Sequence, residues 1–130
     1  MSDFFAVQLD RAKADDGIEV RYRGNIMLRI ASAESARYSE EIAKQIKKLS
    51  KPLADLDDDE AKQLEADIAA RSLLLSWSNL EIGGELVEFS AEKAVELMIH
   101  PESDLLAFVQ RVAANSGNFE RGKIEEAAGN

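Results

Sequence analysis

Residues 71–90, RSLLLSWSNLEIGGELVEFS, decide the fold that this sequence predicts. A helix over about 58–78 carries three consecutive leucines, residues 73–75, up to Trp77, the only tryptophan of the chain. Because an indole ring buries a large surface, we expect the flanking elements to pack around Trp77, with a partner contact as the alternative. Gly83 and Gly84 then turn the chain into a short apolar strand-like segment, and Ser90 caps the next helix.

A β-hairpin is predicted upstream of this stretch. Ile18, Val20 and Tyr22 alternate with charged residues, and a second alternating run follows over residues 26–30, after Gly24. Two period-two runs around a Gly-Asn turn are typical of an antiparallel hairpin with one apolar face. A lone hairpin is marginal in water, so this face must cover the helices that follow.

Three more helices are predicted, over about 34–49, 91–99 and 101–114. The first has an apolar face made of Tyr38, Ile42, Ile46 and Leu49. The predicted fold is therefore mainly α with a small N-terminal β-hairpin (α+β), with about four helices around a central helix that ends at Trp77. We expect one globular domain over residues 1–119 and a polar, frayed tail over 120–130.

The composition excludes several classes of function. The chain has 130 residues and a net charge of −9, which repels phosphate backbones and disfavours nucleic-acid binding. It contains no cysteine, and no apolar run is long enough to cross a membrane. The acidic amino terminus lacks the basic region of a secretory signal, so we expect a cytoplasmic protein.

No catalytic, cofactor or metal site is predicted. His100 is the only histidine, and the sequence has no G-x-S-x-G motif that would present a serine nucleophile. The acidic run over 55–60 begins with the spacing of a calcium loop, but Glu60 replaces the required glycine and Ala66 the required glutamate. We therefore interpret Asp57 as a helix N-cap and expect that the protein is not an enzyme.

The pattern after residue 72 nevertheless resembles a known family. The residues that carry the resemblance are Leu73, Leu74, Leu75, Trp77, Asn79, Leu80, Ile82, Gly83, Val87, Phe89, Ser90, Glu92, Ala94, Leu97, Pro101, Asp104, Leu105, Val109, Ala113 and Phe119. They are similar to the tail assembly chaperones of long-tailed bacteriophages, as is the hairpin upstream. These are packing patterns, and the resemblance is weakest over residues 1–17 and 34–50.

The resemblance implies a protein of the infected host cytoplasm that is absent from the finished virion. Its partner would be the tape-measure protein, which it keeps soluble while tail-tube subunits assemble around it. Because many copies of the chaperone would bind along one tape-measure protein, the resemblance also favours self-association of the chaperone. A longer product of a ribosomal frameshift would recruit the tail-tube protein, and the tripeptides at 121–123 and 128–130 are compatible with the slippery codons.

The partner-binding residues are expected where apolar side chains exceed what one small core hides. The candidates are Phe4, Phe5, Met27, Leu80 and Ile82. For Phe4 and Phe5 we favour docking on the core over exposure to a partner. Core packing remains the alternative for the whole set.

A second function class stays open. An acidic regulatory or inhibitory module that mimics DNA charge would also have this composition, and it would bind a DNA-binding protein in a salt-sensitive way. A hydrolase that uses clustered carboxylates is a third hypothesis, but paired acids carry no specificity in a chain with 25 of them.

Overall fold

A computed structural model describes residues 3–122, in which five helices combine with two small antiparallel sheets. The helices are α1 (Arg11–Asp16), α2 (Ala36–Lys47), α3 (Asp58–Ser72), α4 (Ala91–Ile99) and α5 (Leu105–Ala114). The strands are β1 (Ile18–Arg21), β2 (Met27–Ile30), β3 (Leu74–Ser78), β4 (Glu81–Ile82) and β5 (Glu85–Leu86). The predicted α+β class is confirmed, whereas helix α1 was not predicted.

The predicted hairpin is confirmed as β1 and β2. Ile18 lies opposite Ile30 and Val20 opposite Leu28, so the apolar face of one strand continues onto the next. These four side chains are buried, while the charged residues of β1 are exposed. The alternation along the sequence therefore separates the core side of the sheet from the solvent side.

The central helix does not reach Trp77, which corrects the prediction. Helix α3 ends at Ser72, and residues 74–78 form β3, an antiparallel partner of β2 in which Trp77 lies opposite Leu28. Strand β2 offers a free edge to this segment, and the N–H of Ala31 also bonds the carbonyl of Leu73 at 2.8 Å. A leucine run fits a buried helix or a buried strand equally well, so pairing with a distant strand decided the conformation.

The core lies between this three-stranded sheet and helices α3, α4 and α5. Helix α3 contributes small side chains, Ala66, Ala69 and Ala70, which allow its neighbours to approach its backbone closely. The largest fully buried apolar side chains are Leu28, Ile30, Leu73, Leu74, Met98, Val109 and Phe119. Trp77 is buried in the same cluster, as predicted.

The helix ends follow the capping residues in the sequence. Ser35 and Ser90 cap α2 and α4, and Asp57 forms a capping box with Glu60 at the start of α3. Helix α5 begins at Leu105 and not at 101, because residues 100–104 form the corner between α4 and α5. Across residues 3–122, the structure contains no helix with the length and apolarity of a membrane span.

The two ends of the described chain are tied together. The N–H of Asp10 bonds the carbonyl of Phe119 at 2.8 Å, and the N–H of Arg121 bonds that of Gln8 at 2.6 Å. Leu9 and Glu120 form an antiparallel bridge between these bonds. Residues 123–130 lie outside the described residues, so the frayed tail stays a prediction.

Candidate functional site

An apolar cleft lies between the β4–β5 turn and the α4–α5 corner, and we call it the Leu80 cleft. Its volume is about 380 Å³. It is lined by Tyr22, Leu80, Glu81, Ile82, Leu97, His100, Glu102, Ser103 and Leu105. Leu80 and Leu105 are buried, Leu97 is half-buried and Ile82 is exposed, so the apolar surface extends from the core to solvent.

Two local backbone features shape this cleft. Asn79 adopts a left-handed conformation, with φ of 62°, and its side-chain amide donates to the carbonyl of Asn25 at 3.1 Å. The chain therefore turns sharply after β3 and brings Leu80 back onto the core. On the opposite side, His100 is extended before Pro101, and its Nδ1 accepts the N–H of Glu102 at 3.1 Å, which stabilises the corner.

A polar cluster stands beside the cleft at Tyr22. The Tyr22 hydroxyl donates to one carboxylate oxygen of Asp104, and Arg23 pairs with the other. Burial and the Asp104 carboxylate raise the pKa of Tyr22, while the Tyr22 hydrogen bond and then Arg23 lower the pKa of Asp104. The Tyr22 ring also packs on the Phe108 ring, with 4.9 Å between the ring centroids. Tyr22, which lines the Leu80 cleft, is therefore held in place at both its hydroxyl and its ring.

The structure brings together two of the five predicted partner-binding residues. Leu80 and Ile82 both line the Leu80 cleft, but Leu80 is only 6% exposed and forms its floor, whereas Ile82 is 47% exposed. Met27, predicted on the other face of the hairpin, follows Arg21 in the register and so faces away from Leu28, but it is buried at 6% exposure. It lies opposite Ser78 of β3, in the middle strand of the sheet, and its partner contact stays a prediction.

Phe4 and Phe5 are not docked on the core, which corrects the favoured prediction. Each is 67% exposed, and their rings contact each other edge to face at 5.2 Å. The core is already closed at this end by Phe119, which is fully buried against the segment that follows Phe5. The two phenylalanines remain candidates for a partner contact, and the structure does not test that role.

A second apolar cleft was missed by the sequence reasoning. This α2–α3 cleft has a volume of about 440 Å³ and lies between the end of α2 and the first half of α3. Its lining is Gln45, Lys48, Leu49, Ser50, Lys51, Leu56, Asp59, Glu60, Gln63, Leu64 and Asp67. The signal was the apolar face of α2, which has more apolar side chains than the core hides.

The acidic run over 55–60 serves as a helix start. The Asp57 carboxylate accepts the N–H of Glu60 at 2.8 Å, and the Glu60 carboxylate accepts the N–H of Asp57 at 3.0 Å. Lys51 pairs with Glu60 at 2.7 Å. In the part of the chain that the structure describes, no three potential metal ligands form a group. The predicted capping role of Asp57 is confirmed.

The comparisons with known proteins found one family. A family model described as "YdaY prophage protein" matches residues 30–130, which include both clefts except for Tyr22. Searches among curated proteins and among solved structures found no match. The match therefore covers α2 to α5 and β3 to β5, and it leaves out α1, β1 and the exposed arm that contains Phe4 and Phe5.

Proposed function

This chain belongs to the YdaY prophage protein family, and we propose that it is a tail assembly chaperone that binds the tape-measure protein of its phage. The match to a prophage family supports a phage-encoded role, of which tail assembly is one. The observation that carries the proposal is the Leu80 cleft, an apolar surface that this chain leaves partly open to solvent. The protein would act in the host cytoplasm, without catalysis, and would be absent from the virion.

The geometry of the cleft suits an apolar helix. Side chains three or four residues apart on one helix face enter such a groove together, and the leucine floor provides a surface for them. Burial of one leucine contributes about 1.5–3 kcal/mol, so each contact is modest. Many copies of the chaperone are therefore needed along the tape-measure protein, which is its client. Reversible coverage of this kind allows tail-tube subunits to replace the chaperone.

The charge of the chain supports the same role. A net charge of −9 keeps the complex of chaperone and tape-measure protein soluble, because the bound chaperone copies repel acidic surfaces of other complexes. Glu81 and Glu102 line the cleft itself, so a client with basic residues beside its apolar stripe would fit best. The tail-tube protein is the further partner, recruited through a longer frameshifted product.

The test is co-expression with the long helical protein encoded by the neighbouring gene. We expect the client to become soluble with the wild-type chain and to be less soluble with Ile82→Ser. Leu80→Ser is unsuitable because Leu80 is buried and its loss would disturb the fold. Leu86→Ser is the matched control, since Leu86 is 70% exposed on the same hairpin but does not line the cleft.

Two results would contradict the proposal. A client that stays insoluble with the wild-type chain would exclude the chaperone role. Equal losses with Ile82→Ser and Leu86→Ser would exclude the Leu80 cleft as the binding surface. Salt-sensitive binding to a DNA-binding protein, with the client still insoluble, would instead support the acidic inhibitory module.

A further inference from the structure

Helix α2 has an apolar face that its own chain leaves partly uncovered. Gln45 is the only buried residue of this 12-residue helix, although its sequence is strongly amphipathic. Ile46 is exposed, and Leu53 is exposed in the segment that follows. An amphipathic helix normally derives its stability from burial of its apolar face, and α3 covers that face of α2 only in part, since Tyr38 and Ile42 stay half-buried.

The α2–α3 cleft continues this uncovered surface. Leu49, Leu56 and Leu64 line it, and each is only half-buried. The core cluster of the described residues does not include them. These leucines therefore form a second apolar surface, separate from the core and open to an occupant.

The charges around the α2–α3 cleft are arranged in two sides of opposite sign. Lys48 and Lys51 lie on the α2 side, while Asp59, Glu60 and Asp67 lie on α3. Lys51 and Glu60 already pair across the cleft at 2.7 Å within one copy. This mixture differs from the rim of the Leu80 cleft, where Glu81 and Glu102 are both acidic.

We propose that the α2–α3 cleft binds a second copy of this chain in a two-fold dimer. A two-fold interface uses the same patch on both copies, so the patch must be complementary to itself. A two-fold axis along the cleft places the lysine side of each copy on the acidic side of the other. Ile46 and Leu53 of each copy then cover the leucines of its partner. The acidic rim of the Leu80 cleft would repel its own copy, which leaves that cleft free for a different partner.

The first test measures mass in solution by light scattering after size exclusion, over a range of concentrations. We expect twice the chain mass of 14.3 kDa for the wild type. Ile46→Ser should weaken the dimer by about tenfold or more, since it removes an apolar contact from both halves of the interface. Ile99→Ser is the matched control, because Ile99 is also exposed but lies on α4, outside the cleft. Circular dichroism checks that both variants fold.

The second test uses charge reversal, which distinguishes a two-fold contact from other associations. Lys48→Glu and Asp59→Lys should each weaken the dimer, because each variant faces its own copy with like charges. An equimolar mixture of the two variants should restore a dimer, since every contact then joins opposite charges. The double variant, which carries both changes in one chain, should also dimerise.

Three results would overturn the proposal. One is a wild-type chain that stays monomeric at all concentrations, and another is a mixture of the charge variants that does not restore the dimer. The third is an Ile46→Ser variant with unchanged mass that loses client solubilisation, which would assign the cleft to the client. Because the mass measurements contain no client, their outcome is independent of the chaperone proposal.

Discussion

The indole Nε1 of Trp77 donates a hydrogen bond to the backbone carbonyl of Val87 at 2.8 Å. Trp77 lies in β3, and Val87 follows the β4–β5 turn, so this bond closes the base of the hairpin that forms the Leu80 cleft. The N–H of Val87 bonds the carbonyl of Leu80 at 2.8 Å, which ties the same two segments a second time. The residue that anchors the core therefore also positions the candidate site.

Replacement of Trp77 with phenylalanine should destabilise the protein by about 2 kcal/mol, from the lost hydrogen bond and the lost ring volume. Urea unfolding followed by circular dichroism measures this change. Ser78→Ala is the control, because Ser78 is exposed in the same strand and should change stability by less than about 0.5 kcal/mol. An equal effect of the two substitutions would contradict the anchoring role of Trp77.

Gly17 should tolerate alanine much less well than Gly24. Both have positive φ, 83° and 54°, a conformation that L side chains rarely adopt, so alanine is strained at either position. At Gly17 an added Cβ would also lie 3.0 Å from the carbonyl oxygen of Ile30, whereas at Gly24 it would meet nothing within 4 Å. We expect a larger loss of unfolding free energy for Gly17→Ala, and equal losses would show that β2 yields to the methyl group.

Tyr22 should titrate above the usual tyrosine pKa of 10.0, because burial and the Asp104 carboxylate disfavour the phenolate. Stability that depends on protonated Tyr22 is complete below pH 10.0 and is lost as pH rises through the folded-state pKa. Absorbance titration in a Tyr38→Phe background isolates this group, since the chain has two tyrosines. Asp104→Asn should lower the midpoint, and an unchanged midpoint would argue against the hydrogen bond.

Serine at both Phe4 and Phe5 should change the free energy of unfolding by less than about 0.5 kcal/mol, because both side chains are mostly exposed. Phe119→Ala should instead cost about 3–5 kcal/mol, since Phe119 is fully buried. Chemical denaturation of the three proteins compares them directly. A large loss from the double serine variant would show that the arm docks on the core in solution.

Several elements could be read from the sequence because local patterns determine them. The alternation of Ile18 and Val20 predicts β1, and Asp57 and Ser90 mark helix starts that the structure shows. Leu80 and Ile82 line the same cleft, and their contact with a partner stays a prediction. The burial of Leu80 and Met27 could not be read, because it depends on elements distant in the sequence.

The sequence by itself determined the α+β class, the hairpin and the starts of α3 and α4, since each depends on residues close in the chain. Tertiary structure alone decided that residues 74–78 leave the helix and pair with β2. It also decided that Phe4 and Phe5 stay exposed and that the apolar face of α2 is left partly uncovered at Ile46. The physical reason is that hydrogen bonding and burial are shared between distant segments, so a segment takes the conformation that its neighbours leave available.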